Sequence, residues 1–317
     1  MIGSTASRKG AEAERDIPAA ITDVGCEREI NEDRYAVIDS PLGKVWLVCD
    51  GMGGVMGGEL AAQLAIDAIR RTIEQRYDDT PTAALQQSIE EANRVIVLRR
   101  QNPAFSAMGT TVVAAMLYED EVTICHAGDS RAYIVRDGNL EQLTIDHTYV
   151  QDLVDRGAIS EDEAMSHPQA HVLTRCIGAE PHLKLDVKNY WIWPATAGES
   201  EDTLVLASDG LYSLVEAEEM AQVIASSTPQ QACVELVEMA KSRGGYDNIT
   251  VGVIPLRGQL RDEAPAGVRK PRRAARKMLV QQSTEPSLSL GQQLIILALL
   301  TVIGIVGGGM IAIFAHV

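Results

Sequence analysis

Five apolar, strand-like runs in this sequence each carry a carboxylate at one end. Lys44–Cys49 leads into Asp50-Gly51-Met52-Gly53-Gly54, and Thr203–Ala207 into Ser208-Asp209-Gly210. Asp247-Asn248 opens Ile249–Ile254, Glu32-Asp33 opens Tyr35–Ile38, and Val122–His126 ends in Gly128-Asp129-Ser130. A lone Asp-Gly is ordinarily a turn. Carboxylates gathered at several strand ends suit a sheet edge that holds cations. Oxygen donors without paired His or Cys select hard ions, Mg²⁺ or Mn²⁺, over zinc. Gly51 serves such a site twice, allowing a tight turn and letting a main-chain carbonyl approach a cation.

Other chemistries are less well supplied. The glycines between Gly53 and Gly58 lack the Lys-Ser/Thr of a P-loop and the spacing of a dinucleotide fingerprint. His126, His147, His167, His171 and His182 are not spaced as a metal set and read as structural or surface residues. The five cysteines (Cys26, Cys49, Cys125, Cys176 and Cys233) are odd in number, with no CxxC, and read as free thiols of a reducing compartment. Residues 1–260 hold 21 basic and 41 acidic side chains. So acidic a body repels a nucleic-acid backbone. It also repels phosphorylated substrates, unless bound cations neutralise the docking point.

The elements that must position the carboxylates are read from periodicity. Further strand-like runs are Thr111–Leu117, Ala132–Val135 and Leu183–Val187. Amphipathic stretches predict helices over about 59–76, 82–99, 217–225 and 229–242. Hairpin-like neighbours and an Asp137-Gly138-Asn139 turn favour antiparallel pairing. The natural packing is a mixed α+β sandwich with helices outside the sheets.

The ends differ in character. Residues 1–16 have no apolar signal region and read as a disordered tail. Residues 17–257 form the expected catalytic domain, and 258–291 a linker with a basic block over Arg269–Lys277. Residues 292–317, apolar and nearly uncharged from Leu294 on, predict one transmembrane helix, long enough for a hydrocarbon core of roughly 30 Å. Basic residues before it predict a cytoplasmic body on a C-terminal membrane anchor. Gly304 and Gly308 allow a weak dimer through that helix.

Taken in order, the motifs resemble the bacterial branch of the type-2C (PPM) metal-dependent protein serine/threonine phosphatases. The resemblance spans about Ile21 to Ile254 and rests on Thr22-Asp23-Val24-Gly25, Arg28-Glu29-Ile30-Asn31-Glu32-Asp33 and Val48-Cys49-Asp50-Gly51-Met52-Gly53-Gly54. It continues through Gly109-Thr110-Thr111, Ala127-Gly128-Asp129-Ser130-Arg131, Leu143-Thr144-Ile145-Asp146-His147, Ala207-Ser208-Asp209-Gly210 and Asp247-Asn248-Ile249-Thr250. It implies an αββα sandwich of two mainly antiparallel sheets flanked by helices, with two Mg or Mn ions at one end. Asp50 would bridge both ions, Asp209 and Asp247 would hold the first, and Glu32 and the Gly51 carbonyl the second. Asp33 would hold the water beside them, Asp129 would recruit a weaker third ion, and Arg28 would grip the substrate phosphate. The implied partners are phosphorylated proteins, among them serine/threonine kinases, and no nucleic acid. Met52 departs from animal members that carry a histidine general acid there, and residues 158–178 occupy the family's variable flap.

Two other readings compete. Cys125 to Arg131 spells the C-x5-R signature of cysteine-based phosphatases, but a strand-like Ala132–Val135 follows where that chemistry needs a helix. A non-catalytic module that binds phosphoproteins at a membrane would show lost carboxylates, and none is lost.

Overall fold

The computed structural model describes residues 16–53, 57–76 and 79–264. Nearly all of the expected tail, the basic linker beyond 264 and the expected transmembrane helix lie outside those residues. Among the described residues, no helix is long and apolar enough to cross a membrane.

The chain begins with strands β1 (Ala19–Asp23), β2 (Arg34–Ser40), β3 (Gly43–Cys49) and β4 (Gly51–Met52). Helices α1 (Gly57–Ile73) and α2 (Pro81–Arg99) follow, then β5 (Gly109–Thr110), β6 (Val112–Tyr118), β7 (Glu121–Ala127), β8 (Arg131–Arg136) and β9 (Asn139–Gln142). Short helices α3 (Tyr149–Asp155) and α4 (Glu161–Met165) precede β10 (Asp186–Trp193) and β11 (Thr203–Ala207). The one-turn α5 (Asp209–Tyr212), α6 (Ala217–Ser226) and α7 (Pro229–Ser242) lead to β12 (Ile249–Pro255) and β13 (Gln259–Arg261).

Two antiparallel sheets run in the orders β1-β12-β11-β8-β9 and β13-β10-β7-β6-β3-β2, and β4 pairs with β5. The central strands are apolar throughout because both of their faces are covered. Along β3, Val45, Leu47 and Cys49 meet α1 and α2, whereas Trp46 and Val48 meet the other sheet. The same alternation divides β11, with Val205 and Ala207 toward α6 and α7 and Leu204 and Leu206 inward. Three apolar layers result, one between the sheets and one beneath each helix pair, so the layers run helix, sheet, sheet, helix. Side-chain caps set two of the helix starts. Thr80 accepts from Ala83 N at 3.2 Å ahead of Pro81, and Thr228 forms a capping box with Gln231 ahead of Pro229.

Two boundaries differ from the sequence reading. The strand expected at Leu183–Val187 lies instead at Asp186–Trp193; Leu183 and Leu185 pack against the core from the loop before it. Residues Gln259–Arg261, expected in the linker, pair with Trp191–Trp193, and Trp193 Nε1 donates to the Glu263 carbonyl at 2.8 Å.

Candidate active site

Antiparallel register brings the strand-end carboxylates to one edge of the sandwich. Arg34 at the start of β2 faces Cys49 at the end of β3, so Glu32-Asp33 and Asp50 emerge side by side. Ala207 at the end of β11 faces Arg131 at the start of β8 and Val251 near the start of β12. Asp129, Asp209 and Asp247 therefore leave the second sheet at its matching edge. Between the edges lies a cleft of about 700 Å³ lined by Arg28, Glu32, Asp50, Gly51, Asp129, Asp209 and Asp247, among others. Asp33 is buried, 1% exposed. A smaller cleft at the opposite end, near Asp137 and Asp202, is different in kind, because Arg136 already pairs with Asp202 at 2.6 Å.

Hydrogen bonds to the main chain fix Asp50, the Glu32 loop and the Asp129 turn. Asp50 N donates to Thr111 Oγ1 at 2.9 Å, and the Asp50 carbonyl accepts from Thr110 Oγ1 at 2.9 Å and Thr111 N at 2.8 Å. The loop carrying Arg28 and Glu32 is fastened by Asn248. Its Oδ1 accepts from Glu32 N at 2.7 Å, and its Nδ2 donates to the carbonyls of Val24 and Ile30 at 2.9 and 3.1 Å. Tyr212 OH donates to the Asp129 carbonyl at 2.8 Å. Gly128 N donates to His147 Nδ1 at 3.2 Å. Glycine is required where α1 begins: a Cβ on Gly58 would lie 2.4 Å from Glu32 Oε1.

The electrostatics are those of crowded anions. Burial, together with neighbouring carboxylates, pushes Asp33 up to about 7, Asp129 up to about 8, and Asp50 well above the usual range. Burial also raises Glu32, against the lowering effect of main-chain N–H groups of Gly58 and Glu59 and the charge of Arg28. Asp247 is raised by burial and by Asp209, and Arg28 Nη2 offsets part of that from 2.8 Å. Among the described residues, Asp33 Oδ1 and Asp209 Oδ1 are buried without a hydrogen-bond partner. Orphaned oxygens of this kind are costly unless something positive meets them. An all-oxygen donor set with unpartnered buried oxygens fits hard divalent cations.

Every sequence-predicted site residue reaches this cleft or, in the case of Asp33, its buried floor. His171 does so too, against expectation. Its Nδ1 lies 3.4 Å from Asp209 Oδ2, and it forms a group with Asp129 and Asp209 whose ligand atoms lie within 4.8 Å of one another. Only its position in the 158–178 stretch hinted at this, because its proximity to Asp209 is tertiary. Asn248, Ser208 and Thr250 stood inside recognised motifs without an assigned role. His126 and His147 stack at 4.6 Å, and His147 Nε2 lies 3.3 Å from Asp186, behind the Asp129 turn. Cys125 lies within β7, fully buried, its thiol pushed up to about 12 by burial, and Arg131 opens β8 rather than a helix. The cysteine-based alternative has neither thiolate nor phosphate loop.

The sequence profile of the family described as Protein phosphatase 2C matches residues 27–241. The chain is 36% identical over 237 residues to a serine/threonine phosphatase stp of Listeria monocytogenes, covering 73% of this chain and 92% of that protein. It is 35% identical over 238 residues to the serine/threonine protein phosphatase PstP of Mycobacterium tuberculosis, covering 74% and 44%. Among solved structures, the S. agalactiae serine/threonine phosphatase superposes with a TM-score of 0.70 at 31% identity, covering 75% of this chain and 98% of that one. The catalytic domain of PstP in complex with 2 manganese ions superposes with a TM-score of 0.63 at 32% identity, covering 75% and 96%.

Proposed function

The chain belongs to the protein phosphatase 2C family of bacterial serine/threonine phosphatases, and on that premise we propose that it hydrolyses phosphoserine and phosphothreonine side chains with water activated between two divalent cations. The observation that carries this reading is the ring of carboxylates from both sheet edges around one cleft, with Asp33 Oδ1 and Asp209 Oδ1 buried and unpartnered. Two cations held by these carboxylates would supply an activated water at neutral pH and neutralisation of the phosphoryl oxygens.

Asp50 would be shared by the two ions, with Asp209 and Asp247 holding the first and Glu32 and the Gly51 carbonyl the second. Asp129, with His171 and Asp209 beside it, makes a weaker third position. Arg28 holds the substrate phosphate, since its guanidinium is half-exposed at the cleft while tethered to Asp247. Asp33 orients the attacking water through its free oxygen. Met52 has no proton to give, so the departing serine or threonine oxygen takes one from water. The carboxylate-rich donor set suits Mg²⁺ and Mn²⁺ alike.

The expected partners are phosphorylated proteins, serine/threonine kinases among them. The uncharged run 294–317 behind the Arg269–Lys277 block supports a cell-membrane anchor with a cytoplasmic catalytic body. The test of the activity is direct. Full-length protein in detergent, stripped with EDTA, should be inert on a phosphothreonine peptide and regain turnover as Mn²⁺ or Mg²⁺ is restored. Turnover that survives rigorous chelation would overturn the cation-assisted mechanism.

A further inference from the structure

The two carboxylate oxygens of Asp33 have opposite surroundings. Oδ2 accepts from Ser208 Oγ at 2.6 Å and from Thr250 Oγ1 at 2.7 Å, whereas Oδ1 has no partner among the described residues. Thr250 Oγ1 also lies 2.7 Å from Thr22 Oγ1, so the hydroxyl that reaches Asp33 is held in turn by a second hydroxyl. Thr22 Oγ1 in turn accepts from Asn31 Nδ2 at 2.9 Å. Asn31 Oδ1 accepts from the main-chain N–H of Asp33 itself at 3.0 Å. Contacts therefore link the amide of Asp33 to its own carboxylate through Asn31, Thr22 and Thr250. Ser208 is tied in from the other side, its Oγ accepting from Thr250 N at 3.0 Å.

This circuit is built from three separate parts of the sequence. Thr22 and Thr250 are register partners across β1 and β12, and Ser208 directly follows the neighbouring strand β11, ahead of the one-turn α5. Thr22, Thr250 and Ser208 carry hydroxyls where an apolar residue would pack equally well on a covered sheet. A buried polar network of this kind costs little when its members are satisfied and holds the carboxylate it surrounds in one orientation.

We propose that Thr22, Asn31, Ser208 and Thr250 are positioning residues of the hydrolytic reaction, acting by saturating Oδ2 of Asp33 so that Oδ1 alone remains to meet a cation or the attacking water. The proposal rests on the cation-assisted hydrolysis described above. None of the four side chains needs to touch substrate or cation; each acts through Asp33. Thr22 is the most informative, because it is one hydroxyl removed from Asp33 and its loss leaves both contacts to Oδ2 in place.

The test compares full-length wild type with Thr22→Val, Thr22→Ser, Thr250→Val and the Thr22→Val/Thr250→Val double variant. Three quantities are read: Mn²⁺ affinity of chelator-washed protein by calorimetry, kcat and KM on a phosphothreonine peptide, and Tm. Groups that orient metal-site residues from behind typically affect affinity or turnover by about 10–100-fold. Thr250→Val should lower kcat and weaken Mn²⁺ binding by about 10-fold or more, with KM for the peptide within about 2-fold. Thr22→Val should show the same pattern at about 3-fold or more, and Thr22→Ser should return to wild-type values. The double variant should be no worse than Thr250→Val, because Thr22 reaches Oδ2 of Asp33 only through Thr250. A Thr22→Val protein with lower Tm but unchanged kcat and Mn²⁺ affinity overturns the proposal, as do additive losses in the double variant. The Thr22 pair decides the matter by itself if Thr250→Val does not fold. A wild-type protein that binds no Mn²⁺ sinks the cation mechanism first, and that result is separate from any difference between variants.

Discussion

Arg28 Nη2 lies 2.8 Å from Asp247 Oδ2, joining two side chains 219 positions apart at the mouth of the cleft. The guanidinium is half-exposed, so the same planar group can hold a carboxylate and meet a phosphate. Arg28→Ala should raise KM for a phosphopeptide by about 10-fold, the scale of a lost charged hydrogen bond of about 1.5–3 kcal/mol. Arg28→Lys should restore little of this, since an ammonium has no fork with which to span both partners. Steady-state kinetics at saturating Mn²⁺ would check it, and an unchanged KM in both variants would remove Arg28 from the substrate site.

The crowded carboxylates set a pH signature for the chelated protein. Asp33 and Asp129 are raised from 3.8 to about 7 and about 8, mainly by burial. The folded chain therefore binds more protons than the unfolded one between those limits. Their contribution to stability is full below about pH 4 and is lost as pH rises through 7 to 8. In EDTA, Tm should fall from pH 6 to pH 8, and Asp129→Asn should flatten that slope. Mn²⁺ should raise Tm more at pH 8 than at pH 6, because cation binding displaces those protons. Scanning fluorimetry over that range suffices.

Gly58 offers a substitution that presses on both donors of the second position, the Glu32 carboxylate and the Gly51 main chain, the latter 2.7 Å from a Cβ there. A Cβ there would sit 2.4 Å from Glu32 Oε1 and push the carboxylate out of place. Gly58→Ala should cost about 10-fold or more in turnover at limiting Mn²⁺ and recover in part when Mn²⁺ is raised. Wild-type metal dependence in this variant would show that Glu32 is no ligand.

Cys125, within β7, and Asp129, in the turn after it, separate the two phosphatase chemistries. Cys125 is fully buried under the helices, so Cys125→Ser should cost about 1–3 kcal/mol of stability for a poorly matched hydroxyl and keep most of its turnover. Asp129→Ala should raise the Mn²⁺ requirement and lower turnover. Matched assays of folded variants on one peptide would check this; a dead Cys125→Ser beside an active, metal-insensitive Asp129→Ala would reverse the assignment.

The anchor is tested by fractionation. The full-length chain should sediment with membranes and resist carbonate extraction, whereas a chain ending after Ala264 should be released. The cut belongs after 264 rather than 257, because β13 and the Trp193 to Glu263 contact would otherwise be lost. A full-length chain that is soluble without detergent would refute the anchor.

Much of this was visible in the sequence, and the reasons are specific. Strands β3, β6, β11 and β12 announce themselves because both faces are covered and nearly every residue is apolar. The strand-end carboxylates are legible because antiparallel pairing returns alternate strand ends to one edge. Strand β1, Ala-Ala-Ile-Thr-Asp, gave no signal; small and polar residues become a strand there through pairing with β12. The strand now at Asp186–Trp193 was read three residues early because the alternating Leu183, Leu185 and Val187 imitate one while packing against the core. His171 and the hydroxyl circuit around Asp33 were illegible in principle, since their meaning lies in neighbours some 38 to 228 positions away.

Strand β12, the last long strand, lies between β1 and β11, so the first strand of the domain has no partner until the last has been made. Asp247 and Asn248 enter with it, one as a candidate ligand and the other as the clamp on the Arg28 and Glu32 loop. A ribosome that has synthesised the first 240 residues has therefore produced neither a closed sheet nor a cation site. Through most of its own synthesis the chain lacks Asp247 and the clamp on the Arg28 and Glu32 loop, and both arrive together with the strand that joins β1 to β11.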